Sequence, residues 1–306
     1  MRPPYRGQGG RLREARHRSK LLEDLAECGG GQAWIRSAPR EPTGWTHGPH
    51  PETINLVNDY EVITAAERPD LVDAMRGLGA SPWPEFLGHD EVVNSLWDRL
   101  YELFPDYQFA LADRERGDLI AIGNCLPIRW DGDPSTLPLR GIDAVLEDGV
   151  ATAVAGAVPS AASALMVMVE PGHLGRGLSA ACIEVMRRIV ADHGLPSLVA
   201  PVRPTEKHRY PLIPIEHYAS WRRADGSLFD PWLRTHERVG GIGAGVAPES
   251  MTVRGTVAEW EAWTGLFMPQ SGSYVVTGAL VPVEIDRERD MGLYVEPNCW
   301  MVHRAR

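Results

Sequence analysis

The stretch SALMVMVEPGHLGRGLSAACIEVMRRIVADHG, Ser163 to Gly194, decides how the chain is read. Ala164 to Val169 is an unbroken apolar run, short enough for a buried strand. Pro171 and Gly172 stop it, and Gly175, Gly177 and Ser179 lead into a helix. Ile183, Met186, Ile189 and Val190 lie along one side of that helix, with Arg187, Arg188 and Asp192 elsewhere. His193-Gly194 ends it, glycine being the usual residue just past a helix C-terminus. A helix that starts at small residues after a glycine turn leaves its first N–H groups without partners. Those donors and the positive end of the helix dipole form a site for phosphate.

The 306 residues suffice for one large or two small domains. No apolar run approaches the roughly 18–20 residues of a membrane span, which excludes an integral membrane protein of that kind. The start, MRPPYRGQGGRLREARHRSK, is basic but lacks the apolar segment of a secretory signal. Cys28, Cys125, Cys182 and Cys299 are far apart, which reads as reduced thiols in a cytoplasmic protein rather than a zinc site or disulfide framework. A formal net charge of −10 argues against a generic nucleic-acid binder. The seven basic residues among the first twenty run against that total and hint at RNA or an acidic partner; a solvated tail is the plainer reading.

Taken in order, residues 1–52 read as a disordered, Gly/Pro-rich basic extension. Ile54 to Thr64 reads as one or two strands, Pro69 to Leu78 and Asp90 to Phe104 as helices. Tyr107 to Asp113 and Leu119 to Ile128 read as an antiparallel pair joined by a charged turn. Gly141 to Ala155 is expected to be helical and Ser197 to Val202 a buried strand. The segment from Pro204 to Trp232 is rich in Tyr, Trp, Pro, His and Arg, a composition suited to lining a site. Further elements are expected at Pro231–Val239 (helix), Met251–Thr256 (strand), Val257–Thr264 (helix), Tyr274–Ile285 (strand pair) and Leu293–His303 (strand). Asp131 and Asp133 lie in a Gly/Pro turn and read as turn residues, not metal ligands.

At Val169 to Ser179 the sequence resembles the GCN5-related N-acetyltransferase superfamily. That family's pattern is Arg or Gln, two residues, Gly, one residue, then Gly or Ala, after a strand often ending Val-x-Pro. Here the strand ends Val169-Glu170-Pro171, and the turn is Leu174-Gly175-Arg176-Gly177-Leu178-Ser179. Leu174 stands in place of the Arg or Gln, and Ser179 in place of the final small residue. A second segment, Thr235-His236-Glu237-Arg238-Val239-Gly240-Gly241, is similar to the family's Leu-Tyr-Glu-Lys-x-Gly-Phe, with His236 at the Tyr position.

The resemblance implies an α/β fold, a central mixed and mostly antiparallel sheet flanked by helices, over residues 53–306 with an insert at 204–232. It implies an acyltransferase with acetyl-CoA or another acyl-CoA as co-substrate and a small-molecule amine as acceptor. Pyrophosphate would rest on Leu174, Gly175, Arg176, Gly177, Leu178 and Ser179, and a backbone N–H near Met168–Val169 would hold the thioester oxygen. His236, as an imidazolium or through a water, would protonate the departing thiolate. Tyr210 and His217 are the favoured further candidates in the insert, where Glu206, His208, Glu216 and Tyr218 are also possible bases. Transfer from charged tRNA, S-acyl transfer or decarboxylation on a carrier-protein thioester, and a non-catalytic acyl-CoA sensor are the alternatives on the same fold. A homodimer is allowed, and no membrane partner is expected.

Overall fold

A computed structural model describes residues 60–79 and 83–305, all within one unit of the chain. The expected extension at 1–52 and the first part of the Ile54–Thr64 strand lie outside the described residues. Strand β1 (Tyr60–Thr64) is followed by helices α1 (Val72–Gly79) and α2 (Glu91–Leu103). Next come β2 (Gln108–Asp113), β3 (Leu119–Ile128), α3 (Gly141–Val154), β4 (Ala161–Val169) and α4 (Leu178–Asp192). After β5 (Ser197–Val202), a short α5 (Ile215–Ala219) and α6 (Pro231–Arg238) precede β6 (Ile242–Gly255). Helix α7 (Val257–Thr264), β7 (Gly272–Tyr274), β8 (Val283–Asp286) and β9 (Met291–Arg304) complete the fold.

Among the described residues the strands form one nine-stranded sheet in the order β1-β2-β3-β4-β5-β9-β8-β7, with β6 also paired to β9. Every pairing is antiparallel except β4 with β5. This is the mixed, mostly antiparallel α/β architecture expected from the sequence. The main departure is β6, which is longer than the Met251–Thr256 strand read from the sequence. Its first half carries Gly243, Gly245 and Pro248, residues that mask a strand pattern, and β9 imposes the pairing through two register shifts. Conversely, β7 and β8 are shorter than the run from Tyr274 to Ile285, because Pro282 precedes the second of them.

The main core lies between the sheet and its helices: Phe109, Ile122, Leu126, Leu146, Met186, Val190 and Leu198 are all buried. Each such side chain contributes about 1.5–3 kcal/mol by leaving water. Packing over Gly123 of β3 is close, for a Cβ there would meet the Phe109 ring of β2 and the Met186 side chain of α4. A second core forms under the C-terminal elements, where Phe86 packs edge-on to Tyr294 with ring centroids 5.1 Å apart, and Trp260 joins them at 5.8 Å.

Polar groups tie the layers together. The buried Arg187 of α4 donates to the carbonyls of Arg304 and Val239, each at 2.9 Å, and so fastens α4 to the ends of β9 and α6. The buried Lys207 ammonium donates to the carbonyl oxygens of Tyr210 at 2.8 Å and Leu280 at 2.6 Å. Asp90 caps α2 by accepting from the Val93 N–H, and its other oxygen accepts from the Thr252 N–H of β6, both at 2.9 Å.

Asp90→Ala is therefore expected to lower unfolding free energy by about 2–3 kcal/mol, one cap and one strap together. Asp90→Asn keeps the cap but turns an amide N–H toward that of Thr252, so it loses at least half as much. Urea unfolding of the two variants checks this ordering.

Candidate active site

Strands β4 and β5 start as a parallel pair and then part. Only Ala162 with Leu198 and Ser163 with Val199 are in register. Among the described residues, no strand pairs with the β5-facing edge of β4 beyond Ser163. Leu165 to Val169 are half-buried instead of fully buried, although the sequence there is as apolar as any core strand. On its other edge β4 stays on β3, with an irregularity where Ala164 and Met166 pair with Cys125 and Asn124 and leave Leu165 unmatched.

The ladder decides which backbone groups face the gap. Glu170 N–H donates to Ile120 at 2.9 Å, and the pairing is regular back to Met166. The twofold alternation of a strand then turns the N–H groups of Val167 and Val169 into the gap and that of Met168 onto β3. Of the two residues singled out near the thioester, Val169 is placed to donate and Met168 is not.

The gap leads to the turn before α4. Gly175 (φ 77°) and Gly177 (φ 79°) both adopt the left-handed conformation open to glycine, and Gly177 caps the helix with no side-chain acceptor. Among the described residues, no protein acceptor takes the N–H groups of Gly175, Arg176, Gly177, Leu178, Ser179 or Ala180. Leu174 differs from the rest of the expected set in that its N–H is used within the turn, donating to Pro171 at 3.4 Å. The turn is exposed around Arg176, and no acidic residue stands in the first turn of α4. Glu170, the nearest carboxylate in sequence, is held 2.7 Å from His173, whose hydrogen bond keeps its pKa below the usual carboxylate range.

His236 lies on α6, buried, with its Nδ1 2.9 Å from Nε2 of His303 on β9 and the Trp232 ring edge-on at 4.4 Å. Burial first, and then His303, push its pKa well below 6.5. The imidazolium expected from the sequence is thus replaced by a neutral ring whose buried Nε2 has no partner among the described residues. One hydrogen lies between His236 Nδ1 and His303 Nε2, so His303 sets the tautomer of His236.

The insert is a small core of its own. Tyr210, Tyr218, Trp221 and Phe229 pack on one another with ring centroids 4.9–6.0 Å apart. Tyr210 is thereby held in an aromatic cluster, and the Tyr218 hydroxyl donates to the buried Asp230. His217, Glu216 and His208 are exposed, and Glu206 is paired with Arg209 at 2.8 Å. Asp131 and Asp133 accept hydrogen bonds within their own turn.

A polar group that sequence reasoning did not single out lies on the face of the sheet covered by α3. Glu296, Asn298 and Trp300 alternate along β9, and the Trp300 indole N–H donates to Pro138, just before α3. Glu296 is buried and accepts from Arg203 at 2.9 Å and from the Tyr294 hydroxyl at 2.9 Å. Asp143 of α3 is buried too, and desolvation, with Asp90 nearby, pushes its pKa up to about 7. The only sequence signal for it was an acid among small and apolar residues in the first turn of a helix.

No family model matches the chain. It is 33% identical over 279 residues to the arginine N-acetyltransferase avaD of Aspergillus versicolor, a match spanning 82% of this chain and 96% of that protein. The chain belongs to the GCN5-related N-acetyltransferase superfamily. Its fold is similar to that of the loading GNATL domain of CurA from Lyngbya majuscula, with a TM-score of 0.54 and 17% identity over 81% of this chain and 98% of that one. This N-acetyltransferase relative makes the chain an acyltransferase. Among the described residues of the acyltransferase, no helix is long and apolar enough to cross a membrane.

The His236 pair carries a pH signature. Unfolded, the ring binds a proton below about pH 6.5; folded, it resists doing so until a lower pH. Its stabilising contribution is complete above 6.5 and is lost as the pH falls, by about 1.4 kcal/mol per pH unit at most. His236→Asn, which keeps a polar atom toward His303, is expected to flatten the fall in stability between pH 6.5 and 5. Parallel thermal melts of the two proteins across that range test it.

Proposed function

We propose that the chain moves an acyl group from an acyl-CoA thioester to an amine nitrogen of a small molecule, with arginine the first acceptor to try. The observation that carries this reading is the β4–β5 gap leading into six free N–H groups at the start of α4. Acyl-CoA has the matching layout, a pyrophosphate at one end of a pantetheine arm with two amides. Pyrophosphate takes the N–H groups of Gly175 to Ala180, with the Arg176 side chain adding charge. The arm's amides lie along β4 in place of the missing strand, using Val167 and Val169, and one of those N–H groups polarises the thioester carbonyl.

The acceptor nitrogen attacks in its neutral form, the C–N bond forms, and the C–S bond breaks with its electron pair leaving on sulfur. The nitrogen's proton goes to solvent, and solvent supplies the one the departing thiolate takes. We assign to His236, in its Nε2–H tautomer with His303 donating to Nδ1, a hydrogen bond to the sulfur that stabilises the charge developing on it. The choice of arginine is supported by the relative that is 33% identical.

Isothermal titration with acetyl-CoA, and with longer acyl-CoAs, is expected to show one-to-one binding. A Gly175→Ala/Gly177→Ala double variant forces side chains into left-handed backbone and should weaken binding at least tenfold; losing two aligned N–H donors at about 1 kcal/mol each supplies that factor. Release of free CoA thiol on adding arginine measures the reaction. The reading fails if no acyl-CoA binds, or if no amine releases thiol.

A further inference from the structure

Two buried oxygen atoms on the α3 face of the sheet have no hydrogen-bond partner among the described residues. They are Oδ1 of Asp143, in a residue 2% exposed, and Oδ1 of Asn298, in a residue that is fully buried. We infer that Asp143 and Asn298 hold a cationic group of the acyl acceptor, a guanidinium or an ammonium. This rests on the acyl-transfer reading above and adds to it what chemistry the acceptor must bring.

The residues around these atoms come together through one short stretch of β6. Ser250 Oγ accepts from the Ile142 N–H, beside Asp143, at 3.0 Å. Met251 is in register with Glu296, whose carboxylate accepts from the Asn298 amide at 3.4 Å. Thr252 N–H donates to Asp90 at 2.9 Å. Asn298 immediately precedes Cys299, the partner of Val202 at the last pair of β5 with β9. Glu296 binds Arg203, the first residue beyond β5. The cluster therefore borders the end of β5, the strand that forms one wall of the gap.

The charges on this face are unequal. Asp90, Asp143 and Glu296 are buried carboxylates, and Arg203 is occupied by Glu296 on one side and by the Gly278 carbonyl on the other. Arg140, just ahead of Asp143, is half-exposed and paired with Glu147 at 2.8 Å. A buried carboxylate oxygen without a partner is unfavourable by an amount that a bound cation with N–H donors removes. The Asn298 amide nitrogen is committed to Glu296 and to the Pro297 carbonyl, which leaves its oxygen as the outward atom. The Asn298 oxygen is an acceptor, and Asp143 is one when ionised, the state a bound cation favours, so a donor-only group such as guanidinium fits them.

A nitrogen held as a cation has no lone pair to give and is not the nucleophile. The acceptor must then carry two nitrogen functions, one cationic and anchored, the other neutral and reactive. Basic amino acids and diamines meet that requirement; simple monoamines do not.

Arginine and citrulline separate the idea cleanly, because they share the α-amine and differ in guanidinium against uncharged ureido. Calorimetric titration into the protein with coenzyme A, which carries no acyl group to transfer, is expected to show arginine bound at least tenfold more tightly than citrulline. In Asp143→Asn that ratio should fall toward one, while acetyl-CoA affinity is unchanged. Asn298→Ala keeps the carboxylate, so it should weaken arginine by about fivefold for one lost hydrogen bond and still prefer it to citrulline. Equal binding of arginine and citrulline to the unaltered protein, failure of arginine to bind at all, or an undiminished ratio in a folded Asp143→Asn overturns the inference. These outcomes do not depend on thiol release, so a protein that binds acyl-CoA and acylates only uncharged amines would refute this site and leave acyl transfer standing.

Discussion

The parting of β4 from β5 is the constraint on which the rest of the structure depends. Two paired residues at the start of each strand hold the sheet together, and beyond them the strands diverge. A half-buried strand edge without a neighbour leaves N–H and C=O groups that must be satisfied by a ligand or water. The fold tolerates this one opening because both halves of the sheet are braced elsewhere. On one side β3 pairs with β4 along its whole length, and on the other β9 pairs with β5, β6 and β8 at once.

Glycine then makes the opening useful. Two left-handed residues two apart turn the chain sharply enough that α4 begins directly beyond the end of β4. Donors on the strand edge and donors at the helix start so stand on either side of one turn. Arg187, by tying α4 to the ends of β9 and α6, keeps the helix start fixed relative to the His236 pair.

Much of this was legible in the sequence, for a physical reason. Strand–turn–helix at Ser163–Gly194, the β2–β3 pair and the α2 periodicity are local patterns, and local patterns survive without knowledge of the partner. What was not legible depends on residues distant in sequence. The half-exposure of Leu165 to Val169 depends on β5 leaving, which no residue of β4 announces. His303 is sixty-seven positions from His236, and nothing near either predicts their 2.9 Å contact. Asp143 and Asn298 look like ordinary polar residues until packing buries them. The aromatic insert is a further case, since its composition does not announce that four of its rings pack on one another.

The Lys207 ammonium has a consequence for how the molecule opens. It joins the insert to the loop between β7 and β8 through two carbonyl oxygens, seventy-three residues apart at the longer reach. A cation buried without a carboxylate is solvated by those carbonyls, and freeing either segment alone would strand it. The insert and the C-terminal loop should accordingly exchange their amide hydrogens as one cooperative unit, with a shared opening free energy, although neither is regular secondary structure for most of its length.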